Sequence, residues 1–167
     1  MKRFLGLLLI VFFLVGCASE TETGYSKEDI NFAEMMIPHH EQALELVALA
    51  NQNTTNPDVL ALAEQIRGAQ EPEIELMKSW PGVDAMTHMG HTMDGMLSDS
   101  EMDSMSSAKG AEFDRLFLEG MIKHHQGAIE MAKEVTDSKN QSVAKLADWI
   151  VSAQALEIET MKELLNK

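Results

Sequence analysis

An internal repeat constrains this chain more than any other feature. Phe32, Glu34, Met36, Ile37, His39, His40, Ala43 and Glu45 recur 85 positions later as Phe117, Glu119, Met121, Ile122, His124, His125, Ala128 and Glu130. A second block, Leu62, Ala63, Ile66, Ala69, Gln70, Glu73, Ile74, Glu75, Met77 and Lys78, recurs with an offset of 84 as Leu146, Ala147, Ile150, Ala153, Gln154, Glu157, Ile158, Glu159, Met161 and Lys162. Each half is one block of the first kind followed by one of the second. A unit that repeats in this way buries the same faces twice, so the fold must be two copies of one motif packed together.

All four blocks read as helices, because apolar residues such as Leu60, Ala63, Ile66, Ile74 and Met77 recur at three- and four-residue steps. Ser26 with Asp29, and Ser138 with Gln141, have the spacing of a capping box. Asn56 before Pro57 reads as an N-cap followed by a proline at the first helical position. The expected helices are 27–52, 57–79, 109–137 and 139–165. Short loops inside each half make antiparallel hairpins, and two such hairpins bury their stripes as an all-α, four-helix up-down bundle with approximate two-fold symmetry. The halves are 26–79 and 109–167 of one domain spanning 26–167. The linker, 80–108, is longer than an ordinary helix connection and so is a candidate for function. Pro38 and Pro72 fall inside predicted helices and have no counterpart in the second half, where Lys123 and Leu156 stand; each should kink its helix.

At about 100° per residue, Asp114, Met121 and His125 fall within roughly 20° of one line, and Asp29, Met36 and His40 repeat this on the first helix. His39 and His124 lie at the edge of the same faces, and small Ala residues beside them leave room. A single His on an apolar face is ordinarily a satisfied core residue. Burying four imidazoles beside two thioethers is costly unless partners or a metal satisfy the ring nitrogens. Met36, His39, His40, Met121, His124 and His125 are therefore candidate metal ligands, the alternative being a structural polar network. Asp29, Asp114, Gln70, Glu73, Gln154 and Glu157 are candidates to orient the rings from behind, although exposed helix positions are the commoner setting for Glu. The chain shows neither the Glu-x-x-His pairs nor the inward carboxylates of a bundle-type di-iron site. Imidazole with thioether favours copper, Cu(I) or Cu(II), with silver as an analogue.

The linker strengthens this reading. Met86, His88, Met89, His91, Met93 and Met96 occupy an eleven-residue span, and no Lys or Arg occurs between Ser79 and Ala108. Thioethers bind Cu(I) without deprotonation and form no disulfides, so Met with His is a workable copper-capture set in an oxidising compartment. The alternative is a short helical Met stripe packed on the bundle, which Gly90 and Gly95 weaken. Farther on, Ser98 and Glu101 can cap a short helix with Met102 and Met105 facing the core.

Lys2 and Arg3 precede an apolar run from Phe4 to Val15 that is too short to span a bilayer and ends in Leu-Val-Gly-Cys. That pattern resembles a lipobox, which makes 1–16 a lipoprotein signal peptide, Cys17 the lipidation site and 17–25 a polar tether; the alternative is an uncleaved anchor helix. Cleavage before Cys17 leaves 151 residues with a formal charge of −16 in place of −14. Either way the body lies outside the cytosol, in the cell envelope. With one Cys, no internal disulfide or Cys-based zinc cluster can form. The excess of 27 Asp+Glu over 13 Lys+Arg excludes a phosphate-tracking nucleic-acid binder, which needs a basic face, and attracts cations instead.

The segments Phe32 to His40 and Phe117 to His125, followed by the Gln-x-x-Glu-Ile-x-x-Met blocks at Gln70 to Met77 and Gln154 to Met161, are similar to the domain-of-unknown-function 305 family. The resemblance covers about residues 26–165. It implies a ferritin-like four-helix bundle of the kind found in exported bacterial proteins, some implicated in periplasmic copper binding and copper resistance. It also implies roles for Met36, His39, His40, Met121, His124 and His125. The resulting expectation is a lipid-anchored, extracytoplasmic protein that sequesters or passes on copper. A copper-dependent redox enzyme is a second reading, for which no nucleophile, base and orienting group are visible. An envelope interaction module with structural His pairs is a third.

Overall fold

A computed structural model describes residues 24–88, 90 and 93–167. The predicted signal segment with Cys17, and Met89 and His91 of the linker, lie outside the described residues. The chain forms helices α1 (Lys27–Asn53), α2 (Pro57–Lys78), α3 (Asp99–Ser107), α4 (Gly110–Lys133) and α5 (Gln141–Leu165). Four long helices make the bundle, and the short α3 lies in the linker. Among the described residues no helix is long and apolar enough to cross a membrane.

Local chemistry sets most of the boundaries. Ser26 and Asp29 exchange side-chain and backbone bonds of 3.1 and 2.8 Å, closing the capping box of α1. Asn56 accepts from the Asp58 N–H ahead of Pro57, and Ser98 with Glu101 caps α3. Both α1 and α2 run on through Pro38 and Pro72 as single helices. Two expectations at the second hairpin need correction. The third long helix ends at Lys133 instead of 137, and α5 is capped by Asn140, whose side chain accepts from the Ser142 N–H, instead of by Ser138. Ser138 supports the turn from one step back, accepting from the Asn140 N–H. Asn140 thus repeats what Asn56 does 84 residues earlier, a register that the repeat itself contains.

Within each half the two long helices pack along their length, and the halves meet chiefly where α1 lies on α4; α2 and α5 touch only lightly. The apolar core falls into two clusters. One gathers Leu46, Val59, Ile66, Phe113, Phe117 and Met161, and the other Phe32, Ile37, Ile74, Trp80, Val143 and Ile150. Fully burying one such Phe or Ile side chain stabilises the fold by about 1.5–3 kcal/mol. Along each helix the His, Gln and Glu positions of the repeat fall between the two clusters, so a buried polar layer crosses the middle of the bundle.

The linker lies on the bundle without forming a helix between Lys78 and Asp99 among the described residues, which removes the helical Met-stripe alternative there. Gly90 and Gly95 take positive φ values of 80° and 87°, which a helix does not accommodate. Trp80 stacks on Tyr25 with ring centroids 5.2 Å apart. Gln42 holds both backbone polar groups of Leu97, accepting from its N–H at 2.8 Å and donating to its carbonyl at 3.0 Å. α3 follows, with Met105 buried and Met102 packed beside it, and Asn53 donates to the Met105 and Ser106 carbonyls at its end.

Candidate metal centre

His39, His40, His124 and His125 are all fully buried. The faces of α1 and α4 that carry them are the faces the repeat makes apolar, and these two helices form the seam between the halves. Met36 and Met121, one turn before His40 and His125, are also fully buried. The second His of each pair bonds to a carboxylate from its hairpin partner. His40 Nε2 meets Glu73 Oε2 at 2.8 Å, and His125 Nε2 meets Glu157 Oε2 at 2.7 Å. The first His of each pair meets a backbone carbonyl instead. His124 Nε2 donates to His39 O at 2.9 Å, and His39 Nε2 donates to Asp94 O of the linker at 3.3 Å. The His39 and His124 rings stand 3.8 Å apart, centroid to centroid.

Those bonds assign the ring protons. An oxygen acceptor at Nε2 requires an N–H there, and a neutral imidazole has only one, so Nδ1 keeps a bare lone pair. All four Nδ1 atoms are buried and have no hydrogen-bond partner. A ligating imidazole ordinarily shows this division, one nitrogen held by a carboxylate or carbonyl and the other directed at the metal. The residues present therefore fit a soft or borderline ion. Burial, then the nearby His40, holds His39 down from 6.5 to about 3, against the pull of the Asp94 carbonyl. His124 lies well below its usual value through burial and then the neighbouring His39, His125 and His40. Burial lowers His125 as well, opposed by its bond to Glu157. These three rings keep lone pairs available at neutral pH, which ligation needs.

Glu73 and Glu157 are buried within the bundle. The expectations that the chain has no inward carboxylates, and that Glu here is more commonly exposed, are thus corrected: each faces inward because an imidazole N–H supplies its partner. Gln70 and Gln154 are buried one turn before them, with both amide atoms of each unpartnered. Asp29 and Asp114 are corrected in the other direction. Asp29 is taken up by the capping box, and Asp114 accepts from Asn56 at 2.9 Å. Eleven residues before His40 and His125, they stand about 16 Å down the helix, too far to orient either ring. In the linker, Met86 is 66% exposed, while His88, Met93 and Met96 are half-buried. The Met96 sulfur accepts from the Met93 N–H at 3.4 Å. Linker and bundle meet where His39 Nε2 reaches the Asp94 carbonyl. Among the described residues no three His, Cys, Asp or Glu side chains are placed to share one ion.

Three residues that matter here were not singled out from the sequence: Gln42, Gly120 and Gly127. Gly127 faces the Asp94–Gly95 turn, and Gly120 faces Leu97 and Met105. A signal was present. The 85-residue register aligns Gly120 with Met35 and Gly127 with Gln42, and a glycine inside a helix costs about 1 kcal/mol relative to Ala unless close packing requires it.

Residues 29–165 match the family model for a domain of unknown function, DUF305. A DUF305 protein from Streptomyces coelicolor, described as secreted, is 32% identical and superposes with a TM-score of 0.75, covering 83% of this chain and 92% of that one. A DUF305 fragment from Deinococcus radiodurans is 31% identical with a TM-score of 0.75, covering 84% and 97%. CopM in its Cu(II)-bound form is 36% identical with a TM-score of 0.71, covering 83% and 95%. CopM has also been solved with Cu(I) and with Ag bound, each 33% identical to this chain. No curated protein matches the chain. With the family model covering nearly the whole helical region and the fold agreeing, the chain belongs to the DUF305 family.

Proposed function

We propose that this chain is an extracytoplasmic copper-binding protein that takes copper as cargo. The observation that carries the proposal is the set of four buried Nδ1 atoms without a hydrogen-bond partner, each on a ring whose Nε2 is already engaged by an oxygen. A purely structural network would use both ring nitrogens, because leaving a buried acceptor unpaired costs about 1–3 kcal/mol. In this reading His39, His40, His124 and His125 ligate through Nδ1, and Met36 and Met121 add thioethers. Met86, His88, Met89, His91, Met93 and Met96 form the capture segment, and Glu73 and Glu157 hold the rings.

The donor set selects the ion. Imidazole and thioether, with no convergent group of hard oxygens among the described residues, favour Cu(I), and Ag(I) shares that preference. The formal charge of −14 raises the local concentration of cations without choosing among them. The copper- and silver-bound CopM structures support the metal, and the relative described as secreted supports an extracytoplasmic site. The lipobox-like segment ending at Cys17 supports a lipid anchor. Storage, delivery or tolerance all follow from reversible binding.

The test is a competition titration of the full chain with Cu(I) against a chromophoric chelator, with Ag(I) as a redox-silent control. Replacing the four bundle His by Ala is expected to abolish the tightest binding. Replacing the linker Met residues is expected to slow capture while leaving the bundle sites in place. Binding no tighter than to a weak chelator in the unmodified protein would overturn the proposal.

A further inference from the structure

The two first-position histidines are held differently. His124 Nε2 donates to the carbonyl of His39, its counterpart in α1. Perfect two-fold symmetry would send His39 Nε2 to the carbonyl of His124, but its acceptor is the Asp94 carbonyl of the linker. That carbonyl reaches the seam only because α4 lacks a side chain at Gly127. A Cβ on Gly127 would overlap the Asp94 carbonyl and lie 2.8 Å from the Gly95 Cα. A Cβ on Gly95 would in turn lie 2.8 Å from both the Gly127 Cα and the Lys123 carbonyl, and Gly95 has a φ of 87°. Every atom in this contact is backbone, so no flexible side chain can yield. Gln42, which stands at the repeat position of Gly127, secures the same stretch by holding the N–H and the carbonyl of Leu97.

We propose that Gly127 is a positioning residue for the first His pair: it admits the Asp94–Gly95 turn against α4, and the Asp94 carbonyl then fixes His39 as the Nε2–H tautomer with its Nδ1 lone pair free. The repeat thus yields two imidazole sites of which one depends on the linker. The consequence for copper rests on the reading above, whereas the tautomer assignment does not.

The experiment uses the metal-free full chain with ¹⁵N-labelled histidine at neutral pH, followed by Cu(I) competition. In the unmodified protein His39 is expected to show a single Nε2–H tautomer. Gly127→Ala is expected to convert it to a mixture while His40 and His125, held by carboxylates, keep theirs. The same variant is expected to lower Cu(I) affinity about tenfold or more, the usual effect of losing a group that orients a ligating imidazole. Gly68→Ala, a helical glycine with open space around it, controls for the change of residue type and is expected to alter neither readout. Gln42→Ala loosens the linker without adding bulk and is expected to act in the same direction more weakly, which keeps the test decisive if Gly127→Ala does not fold. An unchanged His39 tautomer in the folded Gly127→Ala protein, or in Gln42→Ala where Gly127→Ala fails to fold, would overturn the proposal. A scrambled tautomer with unchanged Cu(I) affinity would uphold it and instead overturn the role of His39 as a ligand.

Discussion

The hairpin α1–α2 and the hairpin α4–α5 hold the same polar unit, a His pair facing a Gln and a Glu, in different surroundings. His40–Glu73 and His125–Glu157 have nearly the same length, 2.8 and 2.7 Å. Glu157 additionally accepts from Gln65 of the other half at 3.0 Å, while the repeat position of Gln65 in α5 is Trp149, which is 60% exposed. His39 looks to the linker and His124 to α1. The bonds within each hairpin have kept their two-fold relation, and those made by His39, His124 and Glu157 beyond their own hairpins have lost it. A repeat can therefore supply two equivalent histidine pairs while the connecting segment makes them unequal.

The largest test of this comparison removes the carboxylates. Glu157→Leu and Glu73→Leu each leave a buried imidazole N–H without an acceptor, and each is expected to lower the unfolding free energy by about 1–3 kcal/mol. The Glu157 variant should lose more, because Gln65 loses its acceptor as well. Urea unfolding of both proteins measures the difference, and equal losses would show that the cross-half bond adds nothing.

A smaller effect follows from acid. In the unfolded chain these histidines titrate near 6.5, whereas in the fold His39 is held at about 3 and His124 and His125 are held below their ordinary value. Below about pH 6.5 the unfolded state therefore takes up protons that the folded state refuses, and stability falls as pH falls. For His39 the slope is roughly 1 kcal/mol per pH unit, His124 and His125 add to it in the same direction, and the contribution of all three is flat above about pH 7. Replacing His124 and His125 by Gln should flatten the acid limb more than replacing His39 alone. Unfolding midpoints measured from pH 7 to 5 in the presence of a chelator check this, and a midpoint constant through that interval would contradict the burial of the rings.

The smallest effect concerns the two matching caps. Asn56→Ala and Asn140→Ala each remove a side-chain acceptor from the first turn of the second helix in their hairpin and should cost about 1 kcal/mol. Asn56 also donates to Asp114 across the halves, and Asn140 to the Gly24 carbonyl. Thermal unfolding of the pair is expected to show shifts of the same sign and similar size, and a marked inequality would mean that these tertiary bonds outweigh the caps.

Much of this was legible before any coordinates. The helices, the caps at Ser26, Asn56 and Ser98, and the placement of four His and two Met on buried faces follow from spacing alone, since helical periodicity decides which side chains share a face. The inward turn of Glu73 and Glu157 was not legible, because a carboxylate on a helix reads as exposed until an imidazole on another helix is known to meet it. Asp29 and Asp114 were misassigned for the converse reason. They share a line with the histidines, but a line along a helix extends over many ångströms, and local caps and loop contacts claim the residues at its end.

What the sequence determined by itself is the duplicated unit: two amphipathic hairpins, their histidine-bearing faces and a linker rich in Met and His. These depend on interactions within a few residues, which a one-dimensional pattern records. Only the tertiary structure decided how the units differ. The close approach of Asp94 and Gly95 to Gly127 brings together backbone atoms more than thirty residues apart in the chain. The information there is the absence of a side chain, and it acquires meaning only when another segment fills the space.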